Sequence, residues 1–226
     1  MTNTSATLLT LLCLPLLALA SGCAAPEHVV IRSNPPGASV RINGKSLGTT
    51  PVEWKTEFDR APVAVVQASK SGYFSEEIAL ERASSAMDNG IVNLVLLEDE
   101  SFKATTTHNA TNTWLMVQCD PGIPADEVWQ KIVDAVTTRF VHLEQLEPSS
   151  GYMRTVHQVH TFQGPNGTYY VRTRLIGNLA ARTPLTYKFR IESENSTDRT
   201  HWELYDRIFK EDALLMEELQ QRLGVK

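Results

Sequence analysis

The sequence predicts an all-β sandwich over residues 28–98 followed by an α+β domain over residues 101–226, the latter an antiparallel sheet with two helices on one face. Three observations carry this. Apolar residues recur every second position through the first segment, which is the period of a strand. A spacing of three and four takes over at Val128–Phe140 and again near the C-terminus, which is the period of a helix. Glu98-Asp99-Glu100 separates the two patterns and is too short to act as a flexible linker.

Composition narrows the function classes. With 42% hydrophobic and 21% charged residues the 226-residue chain reads as folded rather than disordered. A net charge of −5 gives no general pull toward nucleic acid, which is not expected as a partner. Twelve Gly and eleven Pro are spread along the chain, excluding collagen-like and low-complexity architectures. Beyond Cys23 no apolar run reaches the roughly 18 residues that a spanning helix needs.

The N-terminus carries an address. Residues 7–20 form an apolar stretch interrupted by Pro15, and residues 1–22 are expected to be a signal peptide. Ala20-Ser21-Gly22-Cys23 follows, and it resembles the lipobox of bacterial lipoproteins. That resemblance implies lipid attachment at Cys23 and a membrane partner reached through the acyl chains. Each buried CH₂ of such a chain adds about 0.8 kcal/mol of attachment. Ala24 stands where an aspartate would resemble an inner-membrane retention signal, so the expected location is the outer membrane of a cell envelope. The alternative is plain secretion with cleavage after Ala20, leaving Cys23 as a spare thiol. If Cys23 is lipidated, Cys119 has no partner left in the mature chain and reads as a small buried hydrophobe.

In the first segment the β-type runs are Val29–Ile31, Ala38–Ile42, Val63–Val66, Ile78–Leu80 and Ile91–Leu96. Asn34-Pro35-Pro36-Gly37, Asn43-Gly44 and Ser71-Gly72 punctuate them. Asn43-Gly44 predicts a type I′ hairpin, since both residues tolerate positive φ. Gly48 is likewise expected at a turn. Ser33-Asn34-Pro35-Pro36-Gly37-Ala38, Val40-x-Ile42-Asn43-Gly44-Lys45, Gly48-x-Thr50-Pro51 and Lys70-x-Gly72-Tyr73 together resemble the PEGA domain. The resemblance implies a small β-sandwich found in bacterial surface and envelope proteins, a spacer or interaction module with no catalytic residues.

In the second segment Trp114–Cys119 reads as a buried strand. Pro124 opens a helix whose apolar face is Val128, Trp129, Ile132, Val133, Val136 and Phe140. Tyr152–Phe162, Tyr169–Leu175 and Tyr187–Ile191 are expected strands, and Asp206–Leu223 a closing helix stopped by Gly224. This order resembles the helix-grip domains of the outer-membrane-assembly lipoprotein BamC, which implies a binding scaffold.

Chemistry-bearing patterns are sparse. No G-x-S-x-G, S-x-x-K or H-E-x-x-H occurs, so no catalytic residue is nominated. His157 and His160 should point to opposite faces of a strand, and no metal or cofactor site is expected. Glu192 and Glu194 share a strand face and suit either a carboxylate pair or a solvated edge. Arg172, Arg174, Lys188 and Arg190 occupy alternate positions of two runs that a hairpin through Gly177-Asn178 to Pro184 would pair, with Tyr170 on the same face. They are expected to face solvent, opposite Tyr187, Phe189 and Ile191. Such a face suits phosphate or carboxylate groups on lipid, glycan or a partner protein. The plainer reading is cross-strand pairing with Glu192 and neighbouring acids.

The reading of function is a non-enzymatic, lipid-anchored envelope protein that serves as a binding or assembly scaffold for an envelope protein or glycan. Two rivals stand beside it: an enzyme with an unrecognised site in the second segment, and a carrier of a small apolar ligand.

Overall fold

The structure, a computed structural model, describes residues 28–224; the signal segment and Cys23 lie outside the described residues. In chain order its elements are β1 (His28–Asn34), β2 (Ser39–Ile42), β3 (Lys45–Thr49), β4 (Val52–Lys55), β5 (Val63–Ser69), β6 (Glu76–Glu81), β7 (Met87–Asp88), β8 (Ile91–Val95), α1 (Glu100–Ala104), β9 (Thr105–Thr106) and β10 (Leu115–Gln118). There follow α2 (Ala125–Arg139), β11 (Leu143–Glu147), β12 (Tyr152–Thr155), β13 (Gln158–Gly164), β14 (Gly167–Arg182), β15 (Leu185–Ser196), β16 (Glu203–Leu204), β17 (Ile208–Phe209) and α3 (Lys210–Leu223).

The period-two residues of the first segment do build two sheets. One runs β4-β1-β8-β7 and the other β3-β2-β5-β6, each four-stranded. Their inward residues, among them Val29, Ile31, Val40, Val66, Leu80 and Val92, are fully buried in one shared cluster. The hairpin between β2 and β3 turns on Asn43 (φ 48°) and Gly44 (φ 78°), the geometry that Asn-Gly favours. The Asn43 side-chain oxygen also accepts from Val65 N at 2.9 Å, tying the turn to β5. Gly48 departs from expectation. It lies inside β3, where the register with β2 shifts between Val40 and Arg41, and its φ of 149° suits the irregular pairing.

The remaining chain forms a sheet ordered β10-β15-β14-β12-β11, seven-stranded once β13 on β14 and β16 on β15 are counted. Helices α2 and α3 cover one face. Val128, Ile132 and Val136 of α2 and Met216, Leu219 and Leu223 of α3 pack with Val117, Leu175, Phe189 and Ile191 in a second buried cluster. Neither helix N-cap, Pro124 nor Phe209, makes a side-chain cap bond, and Asp126/Glu127 and Glu211/Asp212 sit in the first turns against the positive helix ends.

Three boundaries differ from expectation for identifiable reasons. The expected strand Tyr152–Phe162 breaks at Val156-His157 into β12 and β13, both of which pair with β14. β14 does not turn at Gly177-Asn178 but runs on to Arg182, so the β14–β15 hairpin closes at Thr183-Pro184. Gly177 is instead a close-approach position: a Cβ there would lie 2.9 Å from Met153 Cγ and 3.0 Å from Phe189 Cε1. The closing helix begins at Lys210, because Ile208 and Phe209 are drawn into a short ladder with Thr106 and Thr105. Gly224 ends it in an ordinary extended conformation, φ −70°, bridging Cys119 rather than forming a left-handed cap.

Candidate functional site

The acidic junction is bonded on both sides. Asp99 caps α1, its Oδ1 accepting from Ser101 N at 2.9 Å and Phe102 N at 3.1 Å. Toward the sandwich, Asp99 N donates to Gly72 O at 2.9 Å and Phe74 N to Leu97 O at 2.8 Å, while Phe102 lies against Gly72. Toward the large sheet, the Tyr169 hydroxyl donates to the same Asp99 Oδ1 at 2.5 Å. The Arg207 guanidinium lies 3.8 Å above the Phe102 ring and donates to Thr105 O at 2.7 Å. Burial first, then the bond to Asp99, pushes the Tyr169 hydroxyl up to about 12, so it stays a donor at neutral pH.

These contacts wall a cleft of about 610 Å³. Thr173 sits under the first turn of α3, donating to Asp212 at 2.7 Å. The next positions on that sheet face, Val171 and Tyr169 with Asn195 across, reach past the helix and line the cleft. Phe74 enters from the sandwich and meets Tyr169 edge-on, ring centroids 5.7 Å apart. Asn166 in the β13–β14 turn and Glu203 and Tyr205 beyond β15 complete the wall. Among the described residues no Lys or Arg lines it, whereas Asp99 and Glu203 both do.

The charged face lies on the opposite side of the sheet. Register places Tyr170, Arg172, Arg174, Lys188 and Arg190 on one face, with Tyr187, Phe189 and Ile191 on the other, as the alternation predicts. The arginines are only partly exposed, however. Arg172 donates to Glu194 and Arg174 to Glu192, each at 2.6 Å, and Arg190 also pairs with Glu192. Arg174 further approaches Glu144 at 3.7 Å, which Arg154 holds at 2.9 Å. Arg172 stacks at 3.8 Å on Trp202, and Lys188 and Arg190 lie 4.8 and 4.7 Å from the Trp114 ring. Arg199 stacks at 4.2 Å on Tyr170. The expectation of four outward-projecting charges is therefore corrected for the three arginines. Long side chains on a flat strand face fold down onto cross-strand carboxylates and aromatic rings. Glu192 and Glu194 are accordingly spent on arginine.

The other candidates take plain places. His157 shares the arginine face, 3.9 Å from Glu194, whereas His160 lies on the helix side at 4.2 Å from the Phe209 ring. No group of three or more His, Cys, Asp or Glu able to hold a metal occurs among the described residues. Cys119 is buried, and that burial pushes its thiol up and away from reactivity.

The cleft was only partly visible in the sequence. Asn166-Gly167-Thr168 and Asn195-Ser196-Thr197 have the local form of turn sequences, and both asparagines line it. Phe74 reads as core or edge cover, and Tyr169 as a buried strand position. Nothing local marks either as a wall of a shared cavity.

No curated protein and no solved structure matches the chain. Residues 27–85 match the PEGA domain family, and the chain thus carries a PEGA domain at its N-terminal end.

Proposed function

We propose that this is a non-enzymatic, lipid-anchored protein of the bacterial cell envelope, held at the outer membrane through Cys23. Its PEGA domain carries a separate α+β domain away from the lipid, and that domain works as a binding scaffold. Anchoring is supported by the Gly22-Cys23 pair directly after an apolar leader. The helix-grip-like order of strands and helices in residues 101–226 is in keeping with a scaffold.

One observation carries the binding reading. The cleft of about 610 Å³ is lined mostly by the large sheet and the segments flanking it, with Phe74 of the PEGA domain and Asp99 and Ser101 of the junction closing one side. Its size falls within the roughly 300–1,000 Å³ of ordinary ligand sites. Between the large sheet and its helices, Val128, Ile132, Met216, Leu219 and Phe189 belong to one buried apolar cluster.

Fractionation tests the reading. Cys23→Ser should move the protein out of the membrane fraction and remove its acylation, and crosslinking in intact cells should then lose its envelope partners. Unchanged membrane retention in the variant would contradict it.

A further inference from the structure

We propose that the junction cleft binds a short saccharide that carries no acidic groups. The assignment rests on the reading of the chain as an envelope binding protein and narrows it to a ligand class.

Three features of the lining select this chemistry. Half-buried rings from Phe74, Tyr169 and Tyr205 offer apolar surfaces on which the C–H face of a sugar ring packs. Around them stand polar side chains that are still unused. Asn166, Asn195 and Glu203 make no side-chain hydrogen bond or ion pair among the described residues, yet all line the cleft. Each asparagine offers donors and an acceptor side by side, and Glu203 offers acceptors, which matches the paired donor–acceptor character of vicinal hydroxyls. Charge supplies the third feature. Asp99 and Glu203 face the cavity with no lining Lys or Arg to offset them, so a uronate, a sialyl group or a phosphosugar meets repulsion. A neutral or amine-bearing sugar does not. His201 also lines the cleft, its Nδ1 2.7 Å from Asp198, whose carboxylate offsets the positive charge that the contact favours on the ring.

The volume suits more than one ring, because a single hexose would leave much of the cavity to water.

The test is calorimetric titration of the full-length protein, purified in a detergent without a sugar headgroup, with three defined trimers. These are the trimer of N-acetylglucosamine (neutral), of glucosamine (cationic) and of galacturonate (anionic). The first two should bind with a Kd on the order of 1 mM or tighter, and the third at least about tenfold more weakly. Asn166→Ala combined with Glu203→Gln changes two exposed side chains and should weaken the neutral and cationic trimers about tenfold without moving the melting temperature. Val159→Ala, on the opposite sheet face, should leave affinity unchanged. The assignment is overturned if neither the neutral nor the cationic trimer binds, if the galacturonate trimer binds as tightly, or if the double variant binds like the parent. Each of those results leaves the anchored-protein reading intact, since Cys23→Ser fractionation tests that separately.

Discussion

The hydroxyl of Tyr169 and the carboxylate of Asp99, 70 residues apart in sequence, meet in a 2.5 Å hydrogen bond at the oxygen that also caps α1. One acidic side chain thereby ends the PEGA-side segment, starts the short helix and anchors a strand of the large sheet. Removing the hydroxyl alone, in Tyr169→Phe, should cost about 1–2 kcal/mol, the worth of a partly buried bond to a carboxylate. Asp99→Ala also loses the cap, itself worth about 0.5–2 kcal/mol, and should cost more. Urea denaturation of both singles and the double should show the two effects to be non-additive, since both act on one bond. Simple additivity would mean that the contact contributes nothing.

A second prediction concerns Asp212, whose side chain is 0% exposed. Its Oδ2 accepts from Thr173 at 2.7 Å, and its Oδ1 lies 2.7 Å from Arg139 at an angle that leaves it without a hydrogen bond. Burial pushes this carboxyl up, while Arg139 and Thr173 act against that shift. Truncation to Ala strands the Arg139 charge between sheet and helices and should cost about 3–5 kcal/mol. Replacing both partners, as Asp212→Leu with Arg139→Met, should cost clearly less than the single truncation, because no unpaired charge remains. Equal losses would show that the pair acts through packing alone.

The histidines set a pH dependence. Burial lowers His108, His157 and His160 below the ordinary 6.5, and nearby arginines lower the latter two further. The folded chain therefore binds fewer protons than the unfolded one just below pH 6.5, so stability is full above that value and falls as pH drops toward the lowered values. His201 works in the opposite sense, raised by its exposed contact with Asp198. Melting temperature should decline between pH 7 and pH 5, and the decline should be shallower in His157→Gln/His160→Gln. A flat profile in the parent would contradict the shifts.

The arginine face makes a prediction contrary to the outward-facing expectation. Replacing Arg172, Arg174, Lys188 and Arg190 together by Gln leaves Glu192 and Glu194, only 20% and 25% exposed, without their cations. The variant should lose stability by about 1–3 kcal/mol after allowance for partial solvent screening. A variant as stable as the parent would mean that these pairs are ornamental.

What the sequence made legible follows from how local each determinant is. The period-two runs of the sandwich, the Asn43-Gly44 turn and the α2 stripe are set by neighbours in the chain, and all appear where expected. The face of the basic residues is legible too, because a one-residue slip would bury them. Their partners were less certain, since register alone decides that Arg172 faces Glu194 and Arg174 faces Glu192. Gly177 misled for a related reason: a glycine that signals a turn locally here makes room for Met153 and Phe189. The cleft was least legible, because Phe74, Asp99 and Tyr169 converge only after three separate elements have packed.

Whether the protein acts from a lipid anchor is decided by mass spectrometry of the N-terminal peptide of the mature protein taken from membranes. The expected mature chain begins at Cys23 and carries the added mass of acyl groups. A mature chain beginning at Ser21, with an unmodified Cys23 thiol, would contradict it.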